Sequence, residues 1–143
     1  MKKRGFTLFE LLVSISIIAI LTALATISYS GAQKKARDSK RIQDMGLIQK
    51  AQEQWYMLNN SNYEAVCVSG TQWSDVNGNV VFVYPTDPKN TGNYIYNSYV
   101  NKCAADGYCT CALLEGLTGN SNNPNCVAMN LTNGTYYCVK NQQ

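Results

Sequence analysis

Glu10 is the one charged side chain between Gly5 and Lys34, set in an otherwise apolar run from Phe6 to Ile27. A carboxylate at the centre of a bilayer costs about 2.5 kcal/mol or more, so an ionisable group in such a run is a functional candidate that needs a partner. The other residues with chemical potential are 6 cysteines, Cys67, Cys103, Cys109, Cys111, Cys126 and Cys138, in a chain with no His. Without His there is no base for a Ser or Cys triad. Nor does the chain carry a phosphate-cradling Gly loop, and its carboxylates are scattered, so no catalytic residues and no cofactor are expected. Cys109-Thr110-Cys111 is not a zinc spacing and no His can complete a mixed site, so no metal site is expected there. Asp75-Val76-Asn77-Gly78-Asn79 looks like the start of a calcium loop but lacks the full ligand set, and Asx and Gly turns between strands account for it.

The elements that must carry these residues follow from patterning. At 143 residues and 45% hydrophobic content the chain is one domain. The run from Phe6 to about residue 28 has roughly the ~20 residues needed to cross a bilayer. A conventional signal peptide with Ala19, Ala23 or Ala25 near its cleavage site is the alternative, and Glu10 argues against it. Lys and Arg number three before the run and five just after it (Lys34, Lys35, Arg37, Lys40, Arg41), so loop charge alone does not orient the span. After this charged segment, Ile42, Met45, Ile48, Ala51, Trp55 and Leu58 recur at steps of 3 and 4, one apolar stripe of an amphipathic helix. No Pro precedes Pro85, so the pattern predicts one helix over 6–58, roughly 80 Å long at 1.5 Å per residue.

The stretch Lys3-Arg4-Gly5-Phe6-Thr7-Leu8-Phe9-Glu10-Leu11-Leu12 resembles the class III signal of the type IV pilin and type II secretion pseudopilin family: basic leader, Gly before the cut, Phe after it, and Glu as fifth residue of the mature chain. The resemblance implies that a prepilin peptidase/N-methyltransferase removes residues 1–5, with the basic Lys2, Lys3 and Arg4, by cutting between Gly5 and Phe6 on the cytoplasmic side. It then methylates the Phe6 amine. Gly5 suits such a cut because a residue without Cβ lets a protease approach the backbone closely. Loss of three of the 12 basic residues leaves nine against 9 acidic, so no nucleic-acid partner is evident. The resemblance further implies that Glu10 meets the Phe6 amine of a neighbouring copy during assembly on an inner-membrane platform. Many pilins carry a kinking Pro where this chain has Ile27, although Thr22, Thr26, Ser28, Ser30 and Gly31 still make this a weak helical stretch. Thr86-Asp87-Pro88 lies where some major pseudopilins carry calcium ligands.

From Asn59 the composition turns to Asn, Gly, Thr, Ser and Tyr, which marks 59–143 as a globular head. Strands are expected at Val80–Tyr84, Tyr94–Val100, Tyr108–Leu113, Val127–Thr132 and Thr135–Val139, the last two joined as a hairpin through Asn133-Gly134. The 10 Tyr are read as sheet residues, some lining an adhesive or subunit surface. The fold class is therefore α+β: a long N-terminal helix, membrane-spanning in its first half and amphipathic in its second, packed on a small antiparallel sheet. Six cysteines allow fifteen complete pairings. Period-2 alternation in the hairpin places Cys138 and Cys126 on opposite faces, which favours Cys138 bonding Cys109 or Cys111. The function expected is a structural subunit of a type IV pilus, with a cytoplasmic leader and an extracytoplasmic, disulfide-bonded head. A secretion pseudopilin, or an anchored extracellular binding module that never polymerises, is the alternative.

Overall fold

The computed structural model describes residues 5–96, 102–126, 129 and 131–143. One helix, α1, spans Leu8–Leu58. Five strands follow: β1 (Gln72–Ser74), β2 (Val80–Val83), β3 (Lys102–Ala104), β4 (Gly107–Leu113) and β5 (Tyr136–Lys140). They form two antiparallel sheets, β1-β2 and β3-β4-β5, rather than the single sheet expected. The chain divides into two compact units, Met1–Lys34 and Lys35–Gln143.

In the first unit every described side chain from Gly5 to Thr26 is exposed. Here α1 is long and apolar enough to cross a membrane, by length and composition. Its hydroxyls are not left as loose donors. Ser14 Oγ donates to the Glu10 carbonyl, Ser16 to Val13, Thr26 to Ala23, and Thr22 to both Ile18 and Ala19. Such back-bonding lets Ser and Thr sit in an apolar helix without an unsatisfied polar group.

In the second unit the apolar stripe that the spacing predicts faces the head at Met45, Ile48, Ala51 and Trp55, and polar residues are buried beside it. Met45 and Ile48 are buried, but so are Asp38, Arg41, Asp44 and Gln52, while Leu58 is exposed. Gln52 is satisfied by exchanging two hydrogen bonds with the backbone of Glu64, at 3.0 and 2.9 Å. The helix ends at Asn60 and Ser61, both in the left-handed region at φ 53° and 61°, with the Ser61 N–H returning to the Tyr56 carbonyl as a C-terminal cap. Against Met45 and Ile48 the head packs an aromatic core of Tyr63, Trp73, Tyr84, Tyr96 and Tyr108. The buried hydroxyls of Tyr84, Tyr96 and Tyr108 donate to Thr110, Asp44 and Glu53 respectively. Tyr96, expected in a strand, is a buried core residue in a turn, and Tyr94 makes an isolated bridge with Thr91. The rest of that expected strand, 97–100, lies outside the described residues.

The expected Asn133-Gly134 hairpin is not formed. Gly134 pairs with Gly119, Tyr136 pairs with Ser121, and the Leu131 N–H donates to Asn120, so Leu131 is not opposite Tyr136. The expected strand Val127–Thr132 is also absent at its described positions 129, 131 and 132. A local turn preference is outweighed because the segment 119–121 offers the same backbone groups a partner. That pairing is so close that a Cβ on Gly119 would run into the Tyr136 carbonyl, and one on Gly134 would run into the Ser121 backbone. Three disulfides lace the head: Cys67–Cys103, Cys109–Cys126 and Cys111–Cys138. Cys111 and Cys138 are directly opposite in the β4-β5 ladder.

The close approach at Gly119 generates a test against Gly46, a helical glycine whose added Cβ would meet nothing within 4 Å. Gly119→Ala is expected to cost about 1–3 kcal/mol through backbone displacement, whereas Gly46→Ala should stabilise by about 0.5–1 kcal/mol through helix propensity. Chemical denaturation followed by Trp fluorescence distinguishes the two, and a Gly119→Ala midpoint equal to wild type rules out the close pairing.

Candidate functional site

At the amino terminus, Gly5 and Phe6 precede the first residue of α1; Phe6 is 88% exposed and nothing approaches within 4 Å of the place a Gly5 Cβ would take. No other described residue covers either of them. Lys2, Lys3 and Arg4 lie outside the described residues. Glu10 is already engaged within its own chain. Its Oε2 accepts the Thr7 N–H and the Thr7 hydroxyl, both at 2.8 Å, and its own N–H donates to Thr7 Oγ1 at 3.2 Å. This is a capping box, in which the side chains at the first and fourth positions satisfy each other's backbone donors and start the helix. The motif reading does not single out Thr7, although Thr-x-x-Glu is the capping-box spacing. Glu10 thus has a local role beside any role in assembly.

The charged segment after the apolar run is not a solvated face. Arg41, with no exposed surface, sends Nε and Nη2 to the two oxygens of Asp87 at 2.7 and 3.0 Å, and Nη1 to Asp38 and Glu115 at 2.7 and 2.8 Å. Arg37 forks onto Glu115 at 2.8 and 2.7 Å. Asp38 accepts the consecutive backbone N–H groups of Glu115, Gly116 and Leu117. The Tyr94 ring lies against both Arg41 and Lys89, whose charged groups are 4.7 and 4.0 Å from its centroid. One turn further along α1, Asp44 takes the Lys40 ammonium at 2.6 Å and the Tyr96 hydroxyl at 3.0 Å. The network thus clamps α1 to two head segments, the loop around Asp87–Tyr96 and the backbone of 115–117.

Burial acts to lower the Arg41 pKa, but hydrogen bonds with Asp87, Glu115 and Asp38 outweigh it and the net direction is upward, so the guanidinium stays charged. For Glu115 the hydrogen bonds from Arg37 dominate over burial, Arg41 adds to them, and the carboxyl is lowered from 4.5 to about 2.

At both calcium-like sequences the aspartate is already engaged within the chain. Asp75 Oδ1 accepts the N–H groups of Asn77 and Asn79, and Oδ2 accepts the Asn79 side-chain amide, so that loop is a self-satisfied Asx turn. Asp87 is spent on Arg41 and, through Oδ1, on the Lys89 and Asn90 N–H groups. The sulfurs of Cys109, Cys111 and Cys126 lie within 4.8 Å of one another. All three are in disulfides, which leaves no thiolate to ligate a metal.

Residues 1–26 match the family model described as the prokaryotic N-terminal methylation motif. Over 105 residues, 73% of the chain, the sequence is 30% identical to the type II secretion system core protein G of Escherichia coli K12 and 28% identical to that of Dickeya chrysanthemi. Over 109 residues, 76% of the chain, it is 26% identical to the same-named protein of Pectobacterium carotovorum. The chain spans just under two thirds of these relatives' own length, 66%, 63% and 64% respectively. No solved structure matches it.

The Glu115 environment sets a pH dependence. Its carboxyl is harder to protonate folded than unfolded, so its contribution to stability is fully present above 4.5 and is lost as pH falls from there towards about 2. Thermal stability should therefore fall progressively below pH 4.5. Glu115→Gln should lower the midpoint at neutral pH and flatten this acid limb; an acid limb as steep as wild type would remove Glu115 as a source of it.

Proposed function

We propose that the chain is a member of the type IV pilin and pseudopilin family and, within it, the core pilin-like subunit of a type II secretion apparatus. The observation that carries this reading is the reach of the similarity. An alignment of 105 residues cannot be housed within the 26 residues of the methylation motif, so it runs through the second half of α1 and into the head. The amino-terminal motif is common to pilins and pseudopilins alike and does not separate them. The aromatic, cysteine-rich head that favours a surface pilus at the level of composition is the less specific argument, and the pseudopilin reading takes precedence over it.

In this reading residues 1–5 are the leader, the segment 6–28 anchors the subunit in the membrane and later lines the filament, and the head of 59–143 faces away from the cytoplasm. The role is structural, not enzymatic. The partners are the prepilin peptidase/N-methyltransferase, further copies and related pilin-like subunits, and the membrane assembly platform. Before the cut, the Phe6 nitrogen is an uncharged peptide N–H and Thr7 satisfies Glu10. After it, the Phe6 amine is a cation needing an anion in an apolar filament core. At an effective dielectric of about 20 and ~4 Å separation, its attraction to a neighbour's Glu10 is worth about 4 kcal/mol before desolvation is subtracted. Leaving either charge unpaired there is the costlier alternative.

Mass spectrometry of the mature protein should find it beginning at Phe6 with an N-methyl group; an intact Met1, or a start beyond Ala23, rejects prepilin processing.

Charge and capping at Glu10 are separable, because a capping box accepts Gln as well as Glu. In the native host lacking the wild-type copy, Glu10→Gln and Glu10→Ala should both be cleaved and both leave exported proteins trapped in the cell, with surface pili unaffected. Normal secretion by Glu10→Gln but not by Glu10→Ala would assign Glu10 to capping alone. Loss of surface pili with secretion intact would return the chain to the type IV pilus reading.

A further inference from the structure

In Thr86-Asp87-Pro88, where the resemblance implies calcium ligands, the Asp87 carboxylate is occupied on both oxygens by a cation that belongs to the chain itself. We propose that the Arg41 guanidinium takes the place of a divalent cation in the head, so that the subunit folds and remains folded without metal.

A structural cation gathers oxygen ligands from separate segments and so cross-links them. Arg41 does this with Asp38 on α1, Asp87 46 residues along the chain, and Glu115 74 residues along the chain. The oxygens are committed: Asp87 Oδ1 also receives two backbone N–H groups, Asp38 receives three, and Glu115 carries the Arg37 fork. Charge closes as well. Arg37, Arg41 and Lys89 face Asp38, Asp87 and Glu115, and a dication added to that neutral set would leave two positive charges in excess at a buried place. A guanidinium tethered to α1 is present at any ionic composition, whereas a bound ion stabilises only in proportion to its concentration over its Kd. The cluster is the same whichever filament the chain enters, so the outcome bears on the head and not on the choice between pilus and secretion.

The test uses the full-length chain in detergent micelles, with thermal unfolding read from Trp55 and Trp73 fluorescence in excess EDTA and in millimolar calcium. The midpoints should agree to within about 1 °C, because a site filled to about 100 times its Kd would raise the midpoint by roughly 10 °C or more. A drop of several degrees on chelation overturns the proposal. Arg41→Ala leaves Asp38 and Asp87 without their Arg41 partner and Glu115 paired to Arg37 alone at close range; its midpoint should fall, and calcium should restore part of the loss while leaving wild type unchanged. A folded Arg41→Ala protein that ignores calcium overturns the equivalence of guanidinium and cation. If Arg41→Ala does not fold, the wild-type chelation result decides alone.

Discussion

Taking a guanidinium wholly out of water is costly unless each of its donors is met, and the organisation of the head follows from how Arg41 meets this demand. The carboxylates it needs are 3, 46 and 74 residues away in the chain. They can converge only if α1, the loop after Pro85 and the segment after β4 sit at one depth and one rotation. A wholly apolar stripe would tolerate sliding by a turn, since Met, Ile and Leu pack without directional demands. A forked pair of N–H···O bonds does not. The buried ion network therefore acts as a register device as much as a source of stability, and it accounts for the burial of Asp38 and Arg41 on α1.

A different constraint governs the amino-terminal unit. Its length and composition suit a bilayer, and in such apolar surroundings each polar atom has to find a partner within its own helix. The back-bonded Ser14, Ser16, Thr22 and Thr26 obey this, and the Thr7–Glu10 capping box extends it to the first turn, where backbone N–H groups have no helical acceptor. In the proposed reading Glu10 is a carboxylate with two settings: satisfied by Thr7 within its own chain, as the structure has it, and available to an amine if cleavage creates one. A residue with a local substitute partner can be stored in the membrane without the penalty an orphan charge would carry.

Neither device supplies a large core, and the head of 59–143 compensates with aromatic mass and covalent links. Tyr side chains bury wide apolar rings while their hydroxyls reach the polar atoms of α1 and β4, so the core and the ion network are joined through Tyr96 to Asp44. The disulfides Cys109–Cys126 and Cys111–Cys138 tether the 120s segment and β5 to the central strand of the three-stranded sheet.

The amino-terminal helix, its apolar run, the candidate cut and Glu10 are all determined by sequence alone, because each depends on neighbours within a turn or two of helix or within a ten-residue motif. Thr7 belongs to the same class, and its spacing to Glu10 carries the cap openly. The α+β division at Asn59 is likewise local, written in a change of composition. Only the tertiary structure decides which charges of the 34–41 segment are desolvated, since an amphipathic pattern cannot distinguish a solvated arginine from one whose carboxylates arrive from residues 87 and 115. It also decides that Asn133-Gly134 yields to the Gly119–Gly134 pairing, because a turn preference is a short-range energy that a ladder of backbone bonds to a distant segment can exceed. For the cysteines, alternation along β4 puts Cys109 and Cys111 on one face, but choosing between them for Cys138 requires the β4-β5 register, which distant strands set only when they pair.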